Sequence, residues 1–261
     1  MNAPGHILRE LAARQKLLSQ AGWAMLAVLV LSLLAMSFDA RTINGVSVWV
    51  KPAKFAASLL VWFWTLAWAW GVLDSGARTG RSARIILWGS LATGFFEQGW
   101  ITLRAAHGMP SHFAADPLGA VFYAFMGLAA LVLALLAALL GLLVLRCPDP
   151  AQPRPWWLAV GLGLLIGGVL AALTGASISF VGTPHVGGSA SDVGNLAPFF
   201  WSRDGGDLRI AHFIGVHAMQ ALPLLALAGA GASAVALGAA GWTALSLAAW
   251  LLAMSGTVPA P

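Results

Sequence analysis

With one cysteine, Cys147, the chain has no means of forming an internal disulfide or a cysteine-built zinc cage. Charge is equally scarce: Asp, Glu, Lys and Arg make up 9% of 261 residues, too little for an ordinary water-soluble surface. The basic residues form no continuous patch, so the net charge of +5 does not point to nucleic acid. His-Glu-x-x-His, Cys-x-x-Cys, Cys-x-x-Cys-His, the Gly-x-Ser-x-Gly elbow and the phosphate loop are all missing. No internal repeat divides the chain into halves, as it does in many transporters.

What the chain does have is apolar length. At 59% hydrophobic residues, with 30 Gly and 13 Trp, it reads as an all-α, polytopic integral membrane protein. About seven transmembrane helices are expected, at roughly 21–38, 52–73, 84–105, 117–146, 156–180, 209–229 and 232–254. They form a single domain, 21–254, with a long outer loop at 181–208. An amphipathic interfacial segment, 1–20, precedes it, with Leu8, Leu11 and Leu18 set among basic residues, and a short tail, 255–261, follows. Pro52 and Pro117 suit the first turns of their spans, where a missing N–H costs little. Gly229 to Ala232 leaves room only for a tight hairpin between the last two spans.

With the N-terminus inside and the C-terminus outside, eight Lys and Arg residues lie on the inner side and six on the outer. That orientation suits a multi-pass protein of a bacterial-type inner membrane. Trp23, Trp70, Trp88, Trp156 and Trp157 then mark the inner interface, and Trp49, Trp100 and Trp201 the outer one. Gly163-x-x-x-Gly167 predicts close helix packing and says nothing about chemistry.

The polar residues gather on the outer side. The stretch from Arg203 to Pro223 begins as a charged turn, is capped by Asp207, and carries Arg209, His212, His217 and Gln220 into an apolar span. Pro223 predicts a kink beside His217 and Gln220. Lys51, Lys54, Ser58 and Thr65 share one stripe of span two; Lys51 is read as reaching the headgroups. Glu97 and Arg104 share a face of span three. Glu97 and His217 both lie about 8 residues, roughly 12 Å, below the outer end. A paired carboxylate and imidazole, either functional or fixing helix register, is therefore expected. His107 and His112 lie in the third loop, and His185 in the long one.

Glu97 and His217 are the candidate catalytic residues. Lys54, Arg104, Gln220 and Trp201 are the candidate substrate contacts, and His212, His217 and His107 the candidate metal ligands. The first expectation is an enzyme holding haem or a transition metal and acting on a lipophilic or quinone-like molecule, with membrane lipids as its surroundings. The second is a proton-coupled transporter or channel for a small, anionic solute. The third is a non-catalytic assembly or sensing protein.

Overall fold

The computed structural model describes residues 3–114, 116–189 and 192–256, with side chains from Arg9 onward; the expected tail falls outside it from residue 257. Helix α1 (Ala3–Arg14) is followed at once by α2 (Lys16–Ala35), whose first turn is capped by the Gln15 side chain accepting from Leu17 N. Strands β1 (Thr42–Ile43) and β2 (Val46–Ser47) form a minimal antiparallel hairpin, Thr42 opposite Ser47. Asn44 and Gly45 turn it with φ of 53° and 81°, the left-handed pair that a two-residue hairpin requires.

Helix α3 (Val50–Trp70), the short α4 (Ser75–Thr79) and α5 (Arg81–Ala106) come next. Asp116 caps α6 (Pro117–Arg146) by accepting from Gly119 N, and Pro117 occupies its first position as expected. Helix α7 (Arg154–Val181) stops at the left-handed Gly182. The long loop is closed at its base by β3 (His185–Val186) pairing with β4 (Gly206–Asp207). Helices α8 (Leu208–Val216) and α9 (Ala218–Leu227) follow, then α10 (Ala232–Met254) across the tight Gly229 turn.

Four helices, α2, α6, α7 and α10, are long and apolar enough to cross a membrane; α8 and α9, bent by 41° at His217, make a fifth if they act as one span. This is fewer than the seven expected. Helix α3 carries Lys51, Lys54 and four tryptophans, and α5 carries Arg81, Arg84, Glu97, Gln98 and Arg104, which lowers the apolarity of both.

The long helices run alternately between two ends. The α2–α3, α5–α6 and α7–α8 connections gather at what we term the upper end, where Arg41 donates to Ala106 O and Lys54 to Phe199 O. The lower end holds α1, α4 and the α6–α7 connection. An apolar core including Leu18, Phe63, Leu66, Leu73, Ile86 and Leu140 fills the lower half. The charges beneath it are tied to backbone: Arg14 donates to Trp68 O, and Arg78 to Leu73 O, Gly71 O and Asp149.

The α8–α9 bend sits against α7 where the glycine pair lies. A Cβ on Gly163 would stand 2.8 Å from Ala218 O, and one on Gly167 3.0 Å from Val216 O. The small residues therefore admit a broken backbone to close range. The break leaves Ile214 O without its helical partner, and Trp242 Nε1 of α10 donates to it at 2.7 Å. The bend is centred on His217, six residues before Pro223, which lies inside α9.

Candidate functional site

The upper end separates the expected site residues into two groups. Helix α5 packs on α3 and α6, whereas α8 and α9 pack on α7 and α10. Glu97 and His217 are joined by no hydrogen bond or ion pair. Equal depth along two helices does not fix which way each faces, and the expected pair does not form.

Glu97 is buried, 3% exposed, and its Oε1 has no hydrogen-bond partner. The charge that reaches it is that of Lys51, one turn before Phe55 on α3. Lys51 is half-buried at this corner. The same corner holds His112, which packs between Phe55 and Tyr123 at ring separations of 5.7 Å and shares a hydrogen bond with Ser111. Burial, reinforced by Lys51, drives His112 well below its ordinary pKa, so its imidazole is neutral. Beside Glu97, Gln98 Oε1 and Trp100 Nε1 are also buried without partners, although Gln98 Nε2 reaches Pro52 O.

Arg104, on the same face of α5, does not turn to Glu97. It forks onto Asp116, 2.5 Å at the shorter contact, donates to Pro110 O and lies 5.5 Å from the Trp100 ring. That fork holds the Asp116 carboxyl below the usual carboxylate range and ties the third loop to α5 and α6. Arg104 is therefore a loop anchor. His107 caps the end of α5 and is exposed. On the flank of this group, Thr93, Phe96, Phe122, Phe125 and Leu128 line an open apolar groove of about 500 Å³ between α5 and α6. Trp100 stacks on Phe122 at 4.0 Å.

The second group is built on the α8–α9 bend. Asp207 caps α8, as expected, through Arg209 N. It also accepts from the Arg209 guanidinium and from Ser202 N, while Arg209 continues to Asp192 and Phe200 O. The loop is thereby strapped over α8, with Asp204 accepting from Ser189 N and Ser202 Oγ, contacts that lower its pKa. His185 is buried beside this strap; burial, then the Arg209 charge, lower its pKa. Under the strap, Phe199 stacks on Trp201 at 4.9 Å, both meet Phe213 of α8, and Phe213 meets the His217 ring at 4.0 Å. Lys54 donates to Phe199 O from α3. Gln220 Nε2 donates to Thr65 Oγ1 at 2.8 Å, which joins α9 to α3.

The tautomers of both span-six histidines follow from their partners. Phe213 O can only accept, so the 2.7 Å contact to His217 Nδ1 requires the proton on Nδ1. Thr174 Oγ1 spends its proton on Leu170 O at 2.6 Å and can only accept from His212 Nδ1 at 2.9 Å. When neutral, the His217 ring then offers an Nε2 lone pair, the state of a metal ligand or a general base, whereas the His212 ring also meets the backbone of Ala171. Among the described residues no group of three or more His, Cys, Asp or Glu stands close enough together to hold a metal, so His107, His212 and His217 are not gathered into one.

Sequence reasoning missed Asp116 as the partner of Arg104, His112 and Lys51 as neighbours of Glu97, and Thr174 as the partner of His212. No spacing announces these contacts, because each joins separate helices or loops. No family model, curated protein or solved structure matches the chain, and the chemistry of the site rests on its own geometry.

Proposed function

We propose that the protein is a multi-pass enzyme of an inner membrane, with α3 and α5 completing seven spans and the upper end facing outside. Its site lies under the strapped loop at the α8–α9 bend and takes a lipophilic molecule from the bilayer. The observation that carries this reading is the His217 imidazole: held as the Nδ1–H tautomer at a helix break, it backs onto an aromatic stack and leaves its Nε2 free. In this reading His217 is a general base, Lys54 and Trp201 hold the loop over the substrate, and Glu97 exchanges protons from the neighbouring corner. If a haem or metal ion is bound, the His212 imidazole is the group that would hold it.

The unpartnered Glu97 favours a proton-coupled transporter as a second reading. The apolar core and backbone-tied arginines of the lower end weigh against a through-going path.

The test is solvent extraction of the detergent-purified protein followed by mass spectrometry, beside metal analysis. About one equivalent of a lipophile in the wild type, lost in Phe213→Ala, is expected, and any bound iron, copper or zinc should disappear in His212→Ala. A folded wild type from which only bulk lipid is extracted, in the same amount as from Phe213→Ala, would contradict the reading.

A further inference from the structure

The hydrogen-bond network around His217 and Gln220 specifies what kind of molecule fits there. Thr65 Oγ1 donates its single proton to Val61 O at 2.7 Å, so toward Gln220 it can only accept. The amide of Gln220 is thereby oriented, with Nε2 on Thr65, and its Oε1, buried, has no partner. His217 is fixed in the opposite sense to a donor: its Nδ1–H is consumed by Phe213 O, and Nε2 carries a lone pair. The two residues are three apart across the first turn of α9 and so are neighbours on its surface. The bend thus holds a buried acceptor, Gln220 Oε1, one turn from the His217 ring, which packs on Phe213 beside Phe199 and Trp201.

A buried acceptor left unmade is costly, and that of Gln220, three residues from the His217 ring, calls for a ligand that donates. At the adjoining loop Arg209 is already paired with Asp192 and Asp207, and Lys54 is held on Phe199 O, so the charges there are met within the chain. A neutral hydroxyl donates without adding charge, and aromatic walls favour an aromatic ring over an aliphatic one.

We infer that the bend binds a neutral phenolic or hydroquinone-type ring, its O–H groups donated to His217 Nε2 and Gln220 Oε1. This rests on the reading of the bend as a lipophile site and specifies the head group of that lipophile. Gln220 is then a specificity-determining residue that discriminates a ring bearing hydroxyls from the same ring without them.

The test uses the full-length protein in lipid nanodiscs and three matched probes: a decyl-substituted 1,4-hydroquinone, its dimethyl ether and the corresponding quinone. Calorimetric titration should give the hydroquinone a Kd about tenfold or more below those of the other two. Gln220→Met, which keeps the side-chain length and removes the acceptor, should reduce that preference several-fold while leaving the ether unchanged. Equal affinities for the three probes in the wild type would overturn the inference, the acceptors then being served by water, while the lipophile reading would survive. Binding of none of the three would overturn both. A preference that persists in Gln220→Met would remove Gln220 from the site.

Discussion

The two ends of the helix bundle differ in where their polar groups find partners. At the lower end each described arginine contact is closed: Arg14 lies over Trp68 and donates to its carbonyl, and Arg78 donates to two carbonyls and Asp149. Toward the upper end some polar groups are closed in the same manner, notably Asp207 with Arg209 and Arg104 with Asp116. Glu97, Gln98, Trp100 and Gln220, and below them Trp62 and Ser90, bury atoms that no described residue satisfies. Closed groups hold structure together. Buried open ones cost stability and are kept for what they bind.

If that contrast is right, substitutions at closed groups should be costly and substitutions at open ones should not. The largest effect is expected for Asp207→Ala, which uncaps α8 and strips Arg209 and Ser202 N of a buried partner; about 3–5 kcal/mol should be lost in thermal unfolding in detergent. Next is Gly163→Leu, whose side chain would meet the backbone of the α8–α9 bend, at a cost of about 1–3 kcal/mol by the same measurement. Arg78→Ala at the lower end should cost about 1–2 kcal/mol, from several hydrogen bonds at partial exposure.

Asp116 gives a pH signature. Its pKa is lowered in the fold by Arg104, so its contribution is present above the unfolded carboxylate value, near ~4, and is lost as pH falls through the folded value. In a series of Tm values against pH, Asp116→Asn should flatten the acid limb below about pH 4 and leave the neutral region little changed in slope. The smallest effect on stability is expected for Glu97→Gln: within about 0.5 kcal/mol of the wild type, because it exchanges a buried carboxyl whose Oε1 has no hydrogen-bond partner for an amide of the same shape. Combined with His217→Ala, its effect on stability should be additive to within about 0.5 kcal/mol, since the two share no partner.

Much of the frame was legible in the sequence for reasons local to each element. Asp207 and Pro117 announce helix starts, Gly229 to Ala232 announces a hairpin, and the glycine pair in α7 announces close packing. The Lys54–Thr65 stripe of α3 was read from its spacing, but the contact of Thr65 with Gln220 was not. The pairing of Glu97 with His217 was not legible, because residue count gives depth along a helix and not azimuth between helices. Arg104 was misassigned for a related reason: its partner, Asp116, comes from a loop whose path no periodicity predicts. The bend at His217 lies six residues before the proline that suggested it, where the α7 glycines and Trp242 receive the broken backbone.

The central claim is the proposal that the Lys54–Thr65 face of α3, where Lys54 donates to Phe199 O and Thr65 accepts from Gln220, is reached from outside, and that the lower end is closed. Single cysteines at Lys54, Ser58, Val61 and Thr65, in a Cys147→Ser background, would measure it directly by reaction with a membrane-impermeant thiol reagent applied to either side of sealed vesicles. The account predicts labelling from the outside at positions 54 and 58, weakening toward 65, and none from the inside. Labelling from the inside, or no labelling anywhere along the stripe because it faces lipid, would contradict it.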